Sequence, residues 1–498
     1  MGFSVKIQRS LDGSAKATTA WNLDSGSIIP LVNEEDSQNI YILAGCIYGR
    51  ARTPLRALAT EFTEPEAALD CDGRFVFAVY NKAAGTIRAW TDKYRLLGAF
   101  VVCGSDGITF ANDYWRDNIS FDSDKIDMGS VMDLLMFGYV QPPRTLYTNA
   151  FLLAGYTEVD ANGRVTQRDW RQHWPVASAQ GGKNAAADLY QILRTSASDI
   201  VRWWKPSVFR MSGGVDTRLI AGALSRTELE QLDFQVVCAP YLNEAEDRDV
   251  LGAKILAAAL DVPLKVLHME PAHSAFFADL GNGPRVLSGL YGGEFLGGVM
   301  FSEETVGIAA EPGRALNVER ELLAKPQLAK ESRERFAEAV AQYGPRRFLT
   351  SIFLGTFRST IYQSVLYSWS NPCGLGQLVL SPFSERRFLD RMLTVPDEQL
   401  ANYNLYGEIV RRHMPETLRR LPMSSPITRF NSDLVPFSEG RDPKFRPSIS
   451  ETPLPASLAP LKSAFEKHGV RWAQEPADPA LLLRLYNLQN GLTCMGAL

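Results

Sequence analysis

Between residues 39 and 111 the apolar positions come in short runs broken by turn-forming residues: NIYILAGCIYG, GRFVFAVYN, TIRAWTD, GAFVVCG and ITFAND. Runs of this length, rich in β-branched and aromatic residues, predict antiparallel strands. Gly73, the Ala83-Ala84-Gly85 turn and Ser105-Asp106-Gly107 supply the hairpin punctuation. VMDLLMFGYV predicts a helix that closes the block, and the stretch from FGYVQPPRTLY to AGYTEVDANG carries a further strand pair. The polar segment SAQGGKNAAA, around residues 178 to 187, marks a boundary and divides the chain into domains 1–180 and 181–498.

Beyond Asn184 the period changes. NAAADLYQILRTSASDIVRWW has helical spacing, SVFRM is a short buried strand, SGGVDT a tight loop, and RLIAGALS the start of a helix. Strand FQVVCA, acidic loop YLNEAEDRD, helix VLGAKILAAAL and strand PLKVLHM follow. Strands alternating with helices predict a parallel α/β sheet. Residues 317–369 read as mostly helical. Residues 420–460, rich in Pro, Ser and Arg, read as a lid or as a surface connection, and the tail from Ala456 as a docked helix.

Composition narrows the function classes. In 498 residues, 52 Lys and Arg against 56 Asp and Glu leave a net charge of −4, so no bulk basic field exists to gather nucleic acid or anionic lipid. No run approaches the roughly 18 apolar residues of a membrane span. Cys46, Cys71, Cys103, Cys238, Cys373 and Cys494 form no CxxC pair, which argues against a disulfide framework or zinc ribbon and fits a reducing, cytoplasmic setting. The five histidines show no HExxH spacing, so a zinc hydrolase is unsupported.

The chemistry concentrates in SVFRMSGGVDTRLIAGAL. A buried strand ending at Met211 runs into Ser212, Gly213 and Gly214, where missing side-chain bulk lets backbone N–H groups close on phosphate oxygens at a helix start. Val215 continues the loop, Asp216 stands where a carboxylate serves as a Mg²⁺ ligand, and Thr217 adds a hydroxyl. The bland alternative is a glycine turn capped by Ser212 or Thr217 and holding nothing. The pattern lacks GxxxxGK[ST] and GxGxxG; it resembles the SGGxDS loop of ATP pyrophosphatases.

Flanking segments extend that likeness. GCIYG resembles a G-x-I-Y-N strand, GRFVFAVYNKAAGTIRAWTDKYRLLGAFVV a G-x-F-A-F … L-x-R-D pair, VLSGLYGGEFLGG an S-G-x-G-x-D-E-x-F-G-G segment, and LVLSPFSERRFLDRMLTVPDEQL a V-R-x-P-F-L-D … L-P segment. In this collinear order, over roughly residues 40 to 425, the chain resembles the asparagine synthetase family with its amide-forming relatives, the β-lactam synthetases and lasso peptide cyclases. The resemblance implies an α+β, Ntn-hydrolase-like antiparallel sheet domain. An α/β domain of adenine-nucleotide α-hydrolase-like (ATP pyrophosphatase) type, with a parallel sheet, would follow it. It also implies ATP and Mg²⁺ as cofactors, with Val237 and Cys238 at the adenine and Ser288 and Gly289 at the nucleotide.

Three departures shape the expected activity. Residue 2 is Gly where glutamine-dependent members carry a nucleophilic Cys, so glutaminase activity is expected to be absent. Gly293-Glu294 stands where the family places an acidic pair; with a one-residue slip Glu294 joins Asp216 on the metal, the alternative being a helix cap. The family's C-terminal lysine is replaced around Met423 and Ser424, leaving Arg420, Arg429 or Lys444 as possible substitutes, and Arg218 as a residue facing ATP or substrate. The reading is an ATP-dependent carbon–nitrogen ligase. It adenylates a carboxylate on a small molecule or peptide and joins it to an amine, often within one substrate, with a precursor-peptide-processing protein as a conceivable partner. The alternatives are a non-catalytic nucleotide-binding scaffold or ammonia-dependent amidation.

Overall fold

Residues 4–9, 15–18, 30–50, 52–104, 107–111, 123–137, 139–238, 242–268, 285–297, 326–361, 378–423, 425–429, 431–437 and 458–470, with Leu485, Leu488 and Gln489, are described by the structure, a computed structural model. They fall into two compact units, one drawn from 1–174, 307–376 and 454–498, the other from 175–306 and 377–453.

The first unit begins with strands β1 (Ser4–Arg9), β2 (Ala15–Thr18), β3 (Leu31–Glu35), β4 (Asn39–Ile47), β5 (Gly73–Asn81) and β6 (Thr86–Thr91). It continues with β7 (Phe100–Gly104), β8 (Gly107–Ala111), β9 (Ala150–Leu152), β10 (Gly155–Val159) and β11 (Val165–Asp169). They form two sheets, ordered β2-β1-β8-β7-β9 and β11-β10-β6-β5-β4-β3, antiparallel throughout. Strands β4 and β5 are buried along almost their whole length, which is why they read as continuous apolar runs rather than strict alternation.

One core forms where the helix Leu55–Glu61 lays Leu55 and Leu58 on Phe75, Phe77 and Trp90; Phe62 meets Trp90 edge-on, with ring centroids 5.6 Å apart. A second gathers around the helix Met128–Phe137, covered by Ala329 of the helix Pro326–Tyr343 and by Leu461 and Phe465 of the helix Ala459–Lys467. Those two covering helices lie in the 181–498 span that sequence reading assigns to the second domain. The structure groups them with the first unit, because their apolar faces complete the core around residues 128–137. An ionic seam runs beside it: Asp133, 0% exposed, accepts from Arg335 Nη2 and from Ser332 Oγ, each at 2.6 Å.

The second unit is a parallel sheet of β12 (Val208–Arg210), β13 (Asp233–Cys238), β14 (Leu264–His268), β15 (Arg285–Ser288) and β16 (Leu378–Leu380). Their order is β14-β13-β12-β15-β16. The chain therefore builds outward from β12 to β14, then crosses back to lay β15 on the other side of β12. In open parallel sheets the crevice beyond the carboxyl ends of strands at such a reversal is where ligands bind. Two sequence-predicted site segments leave the sheet at this point: 211–217 after β12, and 288–294 after β15.

Candidate functional site

Met211 is buried and donates its N–H to Gln235 O at 2.7 Å, which ties the end of β12 to β13. The following helix spans Val215–Ala223, so Val215, Asp216 and Thr217 form its first turn, earlier than the helix start predicted at Arg218. Gly214 is the N-cap and lends no side-chain hydrogen bond. Ser212 Oγ accepts the Gly214 N–H at 3.2 Å and lies 3.1 Å from Thr217 Oγ1. Ser212 therefore folds the loop rather than capping the first turn, a helix start of the kind that receives anions.

The glycines have different reasons. A Cβ on Gly213 would lie 2.9 Å from Gly252 Cα, so this glycine lets the helix Arg248–Leu260 approach backbone to backbone. A Cβ on Gly214 would meet only Ser212 Oγ, at 3.2 Å. Gly289, expected at the nucleotide, is pressed against the start of the Val215–Ala223 helix: a Cβ there would lie 2.8 Å from Asp216 Cβ and 3.0 Å from Thr217 N.

Asp216 and Glu294 share one surrounding. Tyr406 donates its hydroxyl to Asp216 Oδ1. Burial, then the Asp216 charge and hydrogen bond, and also the field of Glu294, push the Tyr406 hydroxyl well above the ordinary tyrosine range. Tyr403 is raised by burial first and then by the same two carboxylates, while Arg429 pulls the other way. The two rings stack with centroids 6.3 Å apart, and Tyr403 donates its backbone N–H to Gly297 O at 3.3 Å. Glu294 sits in the first turn of the short helix Gly292–Leu296, whose N-cap is Tyr291. Tyr291 (φ 76), Asn402 (φ 54) and Tyr403 (φ 59) all hold left-handed backbone, a strain that collects at functional sites. No motif pointed to Tyr403 and Tyr406; their spacing in NYNLYGE was the available signal.

Two carboxylates suit Mg²⁺, which is usually held by one or two carboxylates together with substrate phosphates. Among the described residues no group of three or more His, Cys, Asp or Glu side chains gathers that could hold a metal by itself.

Arg218, expected to face ATP or substrate, turns the other way. It is 0% exposed and donates to Gly213 O at 3.2 Å, to Leu421 O at 2.8 Å and to Pro422 O. Burial pulls it down to about 10. Its role is to fasten the loop to residues 421–422. Of the proposed lysine substitutes, Arg420 is an exposed partner of Glu416, Lys444 lies outside the described residues, and Arg429 has a field that reaches Tyr403. Met423 is buried, its N–H bonded to Val435 O at 2.8 Å.

Val237, half-buried near the carboxyl end of β13, is in register with Leu267. Ser288 ends β15 opposite Arg210, and its Oγ accepts the Leu290 N–H at 3.3 Å. The acidic loop is taken up locally: Asp247 caps the Arg248–Leu260 helix, and Glu244 pairs with Lys254 at 2.6 Å and His268 at 3.0 Å.

No protein-family profile matches the chain, and no curated protein sequence does. Among solved structures it is similar to the glutamine phosphoribosylpyrophosphate (PRPP) amidotransferase from B. subtilis complexed with ADP and GMP. That likeness has a TM-score of 0.20 at 8% identity and covers 58% of this chain and 68% of that one.

Proposed function

We propose that the chain is an ATP-dependent ligase of the asparagine synthetase type, without glutaminase activity, that forms an amide from a carboxylate and an amine. In this reading the first unit is Ntn-hydrolase-like and the second an ATP-pyrophosphatase domain. The observation that carries it is the convergence of the 211–217 loop, Asp216 and Glu294 at the reversal point of the parallel sheet. Ser212, Gly213, Gly214 and the uncapped first turn receive the phosphates. Asp216 and Glu294 would hold Mg²⁺, which, when bound, neutralises charge on the departing pyrophosphate.

The chemistry balances in two steps. A carboxylate oxygen attacks the α-phosphorus of ATP and the bond to pyrophosphate breaks. The amine then attacks the acyl carbon, AMP leaves with the C–O bonding pair, and the amine loses a proton. Tyr406 holds the Asp216 carboxylate in place, and Arg429 supplies positive charge beside Tyr403.

ATP–pyrophosphate exchange across a panel of carboxylates, with and without an amine, tests this. Exchange with at least one carboxylate is expected, reduced at least a hundredfold by Asp216→Ala, an order typical of losing one preorganised electrostatic contact. Exchange that survives Asp216→Ala removes the metal assignment. One observation favours a second reading, a nucleotide-binding scaffold: Met423, where the family carries lysine, is buried and bonded into the backbone. ATP binding with no exchange for any carboxylate would select it.

A further inference from the structure

Arg95 lies in the turn after β6 at φ 55, a left-handed conformation that a long side chain holds only at a cost. It is 2% exposed. Among the described residues its guanidinium has one hydrogen-bond partner, Ser351 Oγ, 3.3 Å from Nη2. Nε and Nη1 are buried without a partner. Ser351 Oγ is 3.0 Å from the Tyr139 hydroxyl, and the buried Thr350 hydroxyl beside it in sequence is also without a partner.

One described carboxylate faces two guanidinium groups here. Asp169 feels both Arg95 and Arg171, yet its hydrogen bonds come from Arg171, the shortest at 2.6 Å, and from Tyr343 at 3.4 Å. Arg171 is further fixed by the Tyr343 ring, 4.2 Å from its Cζ. Two guanidinium charges thus share one carboxylate. On the same turn Lys93 Nζ lies over the Tyr94 ring, and Asp92 accepts backbone N–H groups of Tyr94, Leu96 and Leu97. Among the described residues two nitrogens of the Arg95 guanidinium are thus buried donors without an acceptor, an arrangement that is unfavourable unless a partner arrives.

We infer that Arg95 anchors a small monocarboxylate inside the first unit, flanked by the hydroxyls of Ser351 and Tyr139. A carboxylate's lone pairs can accept from guanidinium and hydroxyl together. A dianion such as phosphate would carry excess charge next to Asp169. The site owes nothing to adenylation and gives a binding role to a unit that has no nucleophilic cysteine at residue 2.

The test is a thermal-unfolding titration of the full chain with sodium acetate, ionic strength held constant with sodium chloride and inorganic phosphate as a third arm. A saturable rise of about 2–4 °C in acetate is expected, smaller in phosphate and lost in Arg95→Met. Equal behaviour in acetate and chloride, stronger stabilisation by phosphate, or an unchanged acetate response in Arg95→Met would overturn the proposal. If Arg95→Met does not fold, wild-type chain labelled at arginine Nε decides. One Nε–H resonance should move with acetate and not with chloride, and a spectrum in which none moves counts against the site.

Discussion

Arg171 in the first unit and Arg218 in the second are both buried, yet they are satisfied in opposite ways. Arg171 grips the Asp169 carboxylate, which outweighs its burial and raises it above the ordinary arginine value. Among the described residues Arg218 has only the carbonyls of Gly213, Leu421 and Pro422, and burial lowers it. The first arrangement cancels charge and locks structure. The second orders a loop while leaving its positive charge uncancelled beside the residues proposed to receive phosphate. Arg95 stands between the two: it feels the Asp169 charge without hydrogen-bonding to it, so the difference follows local role rather than unit.

The sharpest way to break this contrast is Arg171→Met. Removing one partner of a buried pair should cost about 3–5 kcal/mol in denaturant unfolding; a loss below 1 kcal/mol would put Arg171 in the same class as Arg218. Next in size is Tyr406→Phe, which keeps the ring and removes the hydroxyl from Asp216. It should cost about 1.5–3 kcal/mol, as for hydrogen bonds to charged groups, and lower any Mg²⁺-dependent ATP affinity. Arg218→Lys keeps the charge but loses the planar fork, and about 1 kcal/mol is expected, read in the same unfolding assay.

The smallest effect is in pH. Burial pushes the Asp169 carboxyl up, but the fields of Arg95 and Arg171 and the Arg171 hydrogen bonds hold it below 3.8. Its stabilisation is therefore present above the unfolded value of 3.8 and lost as pH falls through the lower folded value. Asp169→Asn should flatten that acid limb in a series of melts, and an unaltered limb would detach Asp169 from acid stability.

Strands β4 to β8 and β12 to β14 were legible because their apolar runs have strand length and end at glycine or polar turns. The 211–217 loop was legible for the same reason, as a glycine pair between a buried strand and a helix. The placement of the helices Pro326–Tyr343 and Ala459–Lys467 was not, since an amphipathic face says that something covers it and not what does. Gly213 and Gly289 look like ligand-facing glycines in sequence, but the atoms that require them belong to Gly252 and Asp216. Tyr406 stayed hidden because its value depends on one contact with Asp216, far away along the chain.

The meeting of Gly213 with Gly252 has a consequence for how this chain can change over generations. Neither position can gain even a methyl group while the other backbone stays where it is, and no intervening side chain is there to yield. A drift at one site has to be answered by a retreat of the whole Arg248–Leu260 helix. The pair therefore acts as a latch that fixes the spacing between the 211–217 loop and that helix, whatever else in either segment is substituted.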